Sequence, residues 1–102
     1  AGADAILIHS KQNNPKEIFD FSDKFKKSNH FKPLVAVPSS YSKTYEKDLI
    51  KHGFSIVIYA NQMLRASYLS MNKLAKTILE NNRSYESEKE ISSIKDLLKH
   101  SL

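Results

Sequence analysis

The side chains best suited to chemistry in this chain sit just past short apolar runs. His9, Ser10 and Lys11 follow Ala5, Ile6, Leu7 and Ile8; Ser39, Ser40 and Tyr41 follow Leu34, Val35, Ala36, Val37 and Pro38; Asn61 and Arg65 follow a run centred on Ile56, Val57 and Ile58. An imidazole placed there can donate to a phosphoryl or carboxylate oxygen and can carry positive charge near neutral pH. Serine hydroxyls can donate to the same oxygens or turn the chain, and both readings stay open for Ser10 and Ser39. For Ser40 and Tyr41 the choice is between lining a cavity and turn chemistry with a packed ring. Arg65, early in a helix, opposes the helix dipole and so calls for a partner. That partner is an anion at the strand exits or, the reading we favour, a structural carboxylate from an earlier strand or another subunit. Lys11 reads as solvated surface. His30, His52 and His100 lack metal-ligand spacing and read as surface or cap residues.

The elements that must position these groups alternate in type. Ahead of the run at 5–8, the stretch AGADA reads as the tail of a helix and a tight turn. A polar loop at 11–14 leads to Asn14, Pro15 and Glu17, a capping pattern that opens a helix with Ile18, Phe21 and Phe25 on one face. Pro33 and Pro38 bracket a strand at 34–37. A helix is expected over 42–52, with Tyr45 and Leu49 inward and Gly53 as its left-handed stop. A strand at 55–60 and a long helix at 62–82 follow. The long helix carries Leu64, Tyr68, Met71, Ala75 and Ile78, widened by Leu69, Leu74 and Leu79, a stripe broad enough to predict burial on two sides. After a polar break at 83–86, Ser87 and Glu90 form a second capping pattern before Ile91, Ile94, Leu97 and Leu98.

Strand–helix alternation predicts an α/β fold with a parallel sheet and right-handed crossovers. Chemistry in such folds gathers at the carboxyl ends of the strands. Three βα units cannot close a barrel, which takes eight strands and about 250 residues. The chain is therefore expected to be the last part of something larger. Residues 1–82 read as part of a barrel and 83–102 as a terminal helical extension.

Composition narrows the class. The 102 residues suit one domain, and 40% hydrophobic with 26% charged is an ordinary globular balance. Without cysteine, disulfides and thiolate metal sites are excluded and nothing points to an oxidising compartment. No apolar run is long enough for a membrane span, and the opening lacks the basic start of a signal peptide. A cytoplasmic protein is expected. The net charge of +5 is spread among acidic residues, which disfavours nucleic acid as a partner.

Three blocks, AGADAILIHSK at 1–11, PLVAVPSSYSKT at 33–44 and SIVIYANQMLRAS at 55–67, together resemble the carboxyl-terminal part of the phosphoenolpyruvate mutase and phosphonopyruvate hydrolase family. The pattern I-x-S-x-K-x-L-L at 91–98 extends the resemblance. The family belongs to the isocitrate lyase superfamily of modified (β/α)8 barrels. The resemblance implies that the three strands are the sixth, seventh and eighth of the barrel, and that the long helix at 62–82 is exchanged between subunits of a homo-oligomer. It implies a phosphorylated or phosphono 2-oxo acid as substrate, with phosphoenolpyruvate and phosphonopyruvate interconverted by breaking a P–O bond and making a P–C bond. His9 matches the family's substrate-contacting histidine, and Ser10 and Ser39 lie where substrate contacts are expected. The family uses Mg2+, whose ligands match no acidic cluster here: Asp4 precedes the first strand, on the wrong end. The isolated chain is therefore expected to be inert. Competing readings are a phosphonopyruvate hydrolase, a carbon–carbon lyase of the same superfamily, a non-catalytic half-barrel that folds by association, and a small nucleic-acid binder.

Overall fold

The computed structural model describes residues 2–100. Ala1, which opens the expected first block, and Ser101 and Leu102, which close the expected terminal extension, lie outside the described residues. Two compact units meet in sequence at Gln62 and Met63.

The first unit is a three-stranded parallel sheet with two helices. Its elements are β1 (Ile6–Ile8), α1 (Lys16–Phe25), β2 (Leu34–Ala36), α2 (Glu46–Lys51) and β3 (Phe54–Val57), with strand order β1-β2-β3. β2 pairs with both neighbours: Ile6, Leu7 and Ile8 stand opposite Leu34, Val35 and Ala36, which face Phe54, Ile56 and Val57. The register slips between Leu34 and Val35, leaving Ser55 as an extra residue in β3.

That slip puts side chains of all three strands in phase. Leu34, Ala36 and Phe54 join Ile18, Tyr41 and Leu49 in the core, with Ile6, Ile8 and Val57 packed against them. These are the helix-side positions. Their alternates Leu7, Val35 and Ile56 form one row across the opposite face, 55%, 8% and 49% exposed. The sheet thus has one covered face and one open apolar face. Parallel sheets ordinarily have both faces covered.

Local chemistry sets the helix ends. The Asn14 carboxamide accepts from the Lys16 N–H at 3.1 Å, a turn just ahead of the helix; the capping position expected for Asn14 falls instead to Pro15, which has no side-chain cap. Glu17, however, does not close a capping box; its carboxylate accepts from Ser10 instead. The helix expected over 42–52 is shorter, because Tyr45 is extended (φ −75°, ψ 147°) and stands outside it. Tyr45 is consequently 68% exposed, whereas Leu49 is fully buried. Gly53 does adopt the left-handed conformation, at φ 89°. α1 and α2 are tied at this point: the Ser22 hydroxyl donates to the His52 carbonyl, and the His52 ring stacks on Phe19 with centroids 3.8 Å apart while contacting Asp23 at 3.0 Å. The expected helix tail before β1 is absent among the described residues, as residues 2–5 hold no helix.

The second unit contains α3 (Gln62–Asn81), a 3-10 turn at Tyr85–Ser87 and α4 (Ile94–Lys99). α3 ends at Asn82, a non-glycine left-handed residue with φ 52°. No residue of α3 is buried within the chain. The second helix start differs from expectation. Ser93, not Ser87, caps α4, accepting from the Asp96 N–H at 3.1 Å. Ser87 is buried with its hydroxyl on the Ser84 carbonyl, and Glu90 pairs with Lys73 at 2.6 Å. Among the described residues no helix is long and apolar enough to cross a membrane.

Candidate active site

Strand alternation decides which groups meet at the carboxyl end of the sheet. Ile8 packs against the core, so His9 falls on the face of Leu7 and Ser10 on the helix side. Ser10 bears this out: it is 3% exposed and its hydroxyl donates to Glu17 of α1. Ile8, Ala36 and Val57 share a register, so the next row on the open face is His9, Val37 and Ile58. The Ile58 N–H to the Ala36 carbonyl, 2.9 Å, continues the ladder to that level. His9 is exposed, and its ring makes no hydrogen bond or ion pair among the described residues. An unengaged imidazole beside apolar neighbours at a strand exit is free to donate to an anion held there.

Ser10 serves the loop rather than that face. Its hydroxyl proton is directed at Glu17, and its oxygen accepts from the Gln12 N–H at 3.1 Å. A hydroxyl has one donor, so none remains for a phosphoryl oxygen. The Ser10 carbonyl accepts from the Ser40 hydroxyl at 2.6 Å, which joins the exits of β1 and β2. Ser39, half-buried, makes a tight turn through its N–H to the Val37 carbonyl at 2.8 Å, and its hydroxyl is unengaged. Tyr41 does not line a mouth; it is fully buried in the core.

Asn61 and Arg65 have separate surroundings. The Asn61 N–H donates to the Gln62 side chain at 3.1 Å, while its carboxamide oxygen is buried without a partner. Arg65, on α3 in the second unit, is exposed and meets no carboxylate among the described residues. Tyr59, just past β3, donates to Glu46 at 2.7 Å, and that bond holds its hydroxyl above the usual tyrosine range. Sequence reasoning missed Glu17 as the partner of Ser10 and Glu46 as the partner of Tyr59. Their contacts depend on how two loops close, which no spacing announces.

Among the described residues no group of three or more His, Asp or Glu side chains is placed to hold a metal ion. The residues present do not fit a Mg2+ site.

The family model described as "Phosphoenolpyruvate phosphomutase" matches residues 1–79. The chain belongs to the phosphoenolpyruvate mutase and phosphonopyruvate hydrolase family. Within it, the chain is 32% identical to the phosphoenolpyruvate phosphomutase of Tetrahymena pyriformis over 99 residues, 97% of this chain and 32% of that protein. It is 34% identical to the phosphonopyruvate hydrolase of Variovorax over 99 residues, 96% of this chain and 33% of that protein. The chain therefore spans about a third of the length of the curated relatives it matches. Among solved structures it superposes on a phosphoenolpyruvate phosphomutase from Streptomyces platensis with a TM-score of 0.87 and 32% identity, covering 96% of this chain and 33% of that one. A phosphonopyruvate hydrolase in complex with oxalate and Mg++ gives a TM-score of 0.82 at 34% identity, covering 96% and 34%. Mutase-family membership accords with the alternating strand–helix fold and with a sheet that leaves one face open.

Proposed function

We propose that this chain is the carboxyl-terminal portion of a phosphoenolpyruvate mutase, its β1, β2 and β3 serving as the sixth to eighth strands of a (β/α)8 barrel. The observation that carries the reading is His9, unengaged on the open face at the carboxyl ends of three parallel strands. In a barrel that face is the interior, and the strand ends form the mouth. There the imidazole donates to an oxygen of a phosphorylated or phosphono 2-oxo acid and stabilises the charge that moves as the phosphoryl group leaves oxygen for carbon. The free hydroxyl of Ser39 offers a second donor. Ser10 holds the loop behind His9. Asn61, with its unpartnered oxygen, and Arg65, without a carboxylate, are assigned to pairing with groups from other parts of the protein. Mg2+, which a solved relative binds, would be held by residues outside this chain.

The exposed apolar residues of α3, among them Leu64 at 72% and Leu79 at 77%, support its covering by a second subunit in a homo-oligomer. Residues 83–102 are taken as an extension to the barrel portion. The absence of cysteine supports a cytoplasmic setting. The chain alone is taken to be inert, since most of the mouth is absent from it.

A hydrolase reading stands second, favoured by the 34% identity to the Variovorax enzyme. The test is phosphorus NMR of phosphonopyruvate incubated with the whole protein and Mg2+. Appearance of phosphoenolpyruvate supports the mutase. Inorganic phosphate with pyruvate, after uptake of water, supports the hydrolase. Turnover of neither removes both. His9→Ala is expected to lower turnover by about 100-fold.

A further inference from the structure

His9 lies one residue beyond the last ladder pair of β1, and its ring makes no hydrogen bond, ion pair or ring contact among the described residues. Its position is thus set by the backbone on either side. Ile8 is fixed on one side by pairing with Ala36. On the other, Ser10 is held by the Ser40 hydroxyl on its carbonyl at 2.6 Å, by the Glu17 carboxylate on its hydroxyl and, within the loop itself, by the Gln12 N–H on the same hydroxyl at 3.1 Å. Ser40 reaches across from the exit of β2, and Glu17 from the first turn of α1. Ser10, the residue that follows His9, is therefore anchored to a neighbouring strand and to a helix at once. Both anchors converge on the residue next to the imidazole.

We infer that Ser40 and Glu17 are positioning residues for His9, holding its backbone through Ser10 so that the imidazole keeps one orientation on the open face of the sheet. This rests on the functional reading of His9 given above. Ser40 supplies a donor and Glu17 an acceptor, so each has a conservative replacement that keeps the hydrogen bond. Ser40→Thr keeps the hydroxyl, and Glu17→Gln keeps a side-chain oxygen. A displacement of about 1 Å at such a group lowers turnover by about 100-fold.

The experiment uses the whole barrel protein that carries this chain, with carbon-13-labelled histidine. The His9 ring signals and the steady-state kinetics with phosphonopyruvate are measured for Ser40→Ala, Glu17→Ala, Ser40→Thr and Glu17→Gln. Leu49→Ala, a core substitution that leaves every partner in these hydrogen bonds in place, reports what loss of stability alone does. The expected result is shifted or broadened His9 signals and a fall in kcat of about tenfold or more in the two alanine variants. Recovery to within about threefold is expected in Ser40→Thr and Glu17→Gln, with His9 signals unmoved in Leu49→Ala. Unchanged His9 signals in both alanine variants overturn the inference, as does an equal disturbance in Leu49→Ala. Should an alanine variant fail to fold, its conservative counterpart decides: altered His9 signals in a folded Ser40→Thr or Glu17→Gln count against hydrogen-bonded positioning, and native signals count for it. Full activity in His9→Ala would remove the functional reading separately, and the ring signals would still report whether the two residues hold the imidazole.

Discussion

At the scale of single residues, Tyr41 sets polarity against packing most sharply. Its ring is fully buried, and its hydroxyl has no hydrogen-bond partner of ordinary geometry. Burial pushes the hydroxyl above the usual tyrosine range, with the nearby Val37 backbone opposing the shift in part. A buried hydroxyl without a partner costs about 1–3 kcal/mol. Tyr41→Phe removes that cost and keeps the ring, so the variant is expected to be as stable as the parent or up to about 1 kcal/mol more stable by chemical denaturation. A loss above that size would mean that the hydroxyl is satisfied in solution. The sequence displays Tyr41 beside two serines at a strand exit, which invites a role at the mouth. Only packing against Ile18, Leu34 and Leu49 reveals it as core. His9 is the opposite case. Its place was legible, because an apolar run that stops at a histidine marks both the strand end and the polar exit. Glu17 reads in the sequence as the acid of a capping box and is found instead as the partner of Ser10, since both readings require the same residue at the same helix turn.

At the scale of elements, capping chemistry explains both what could be read and what could not. The second unit offers two candidate serine–acid pairs three residues apart, Ser87 with Glu90 and Ser93 with Asp96. Spacing cannot rank them. The structure selects the second because Ser87 is buried against Ser84 and Glu90 is held by Lys73. Around α4 the Ser93 hydroxyl donates to Asp96 at 2.7 Å, and Lys99 reaches the same carboxylate at 2.9 Å. Lys99 first, and Ser93 second, hold the Asp96 carboxyl below its ordinary value of 3.8. A group depressed in the folded state contributes stability above its unfolded value and loses it as the pH falls through its folded one. The α4 turn is therefore expected to keep its structure at neutral pH and to fray as the solution is acidified below about 4. Backbone chemical shifts of residues 94–99 followed down to about pH 2 would check this. Asp96→Asn should weaken the dependence, and an α4 that frays identically in that variant would refute the assignment.

At the scale of the whole molecule, the open face of the sheet is the feature with most consequence. Leu7 is 55% exposed here, and an exposed leucine ordinarily tolerates a polar substitution within about 0.5 kcal/mol. If the face is the interior of a barrel, Leu7→Asp in the whole protein instead buries a carboxylate among apolar side chains. The expected result is a loss of several kcal/mol or failure to fold, read from thermal unfolding and soluble yield. Near-parental stability would place the face in solvent and count against the barrel. The α/β class and the order of its elements were legible because helix and strand periods differ and because Pro33, Pro38 and Gly53 mark boundaries. The shared phase of the strands was not, since it depends on a slip that appears only when strands pair.

The slip has a consequence for length. Phe54 and Ile56 oppose Leu34 and Val35, adjacent residues on opposite faces, so Ser55 fills no place in the pairing. Removing it would leave Phe54, Ile56, Val57 and Ile58 in uninterrupted alternation, each still on its present side. Excision of Ser55 is thus an expected silent shortening, with unfolding midpoint nearly preserved, whereas excision of Val35 from β2 would turn the rest of that strand inside out.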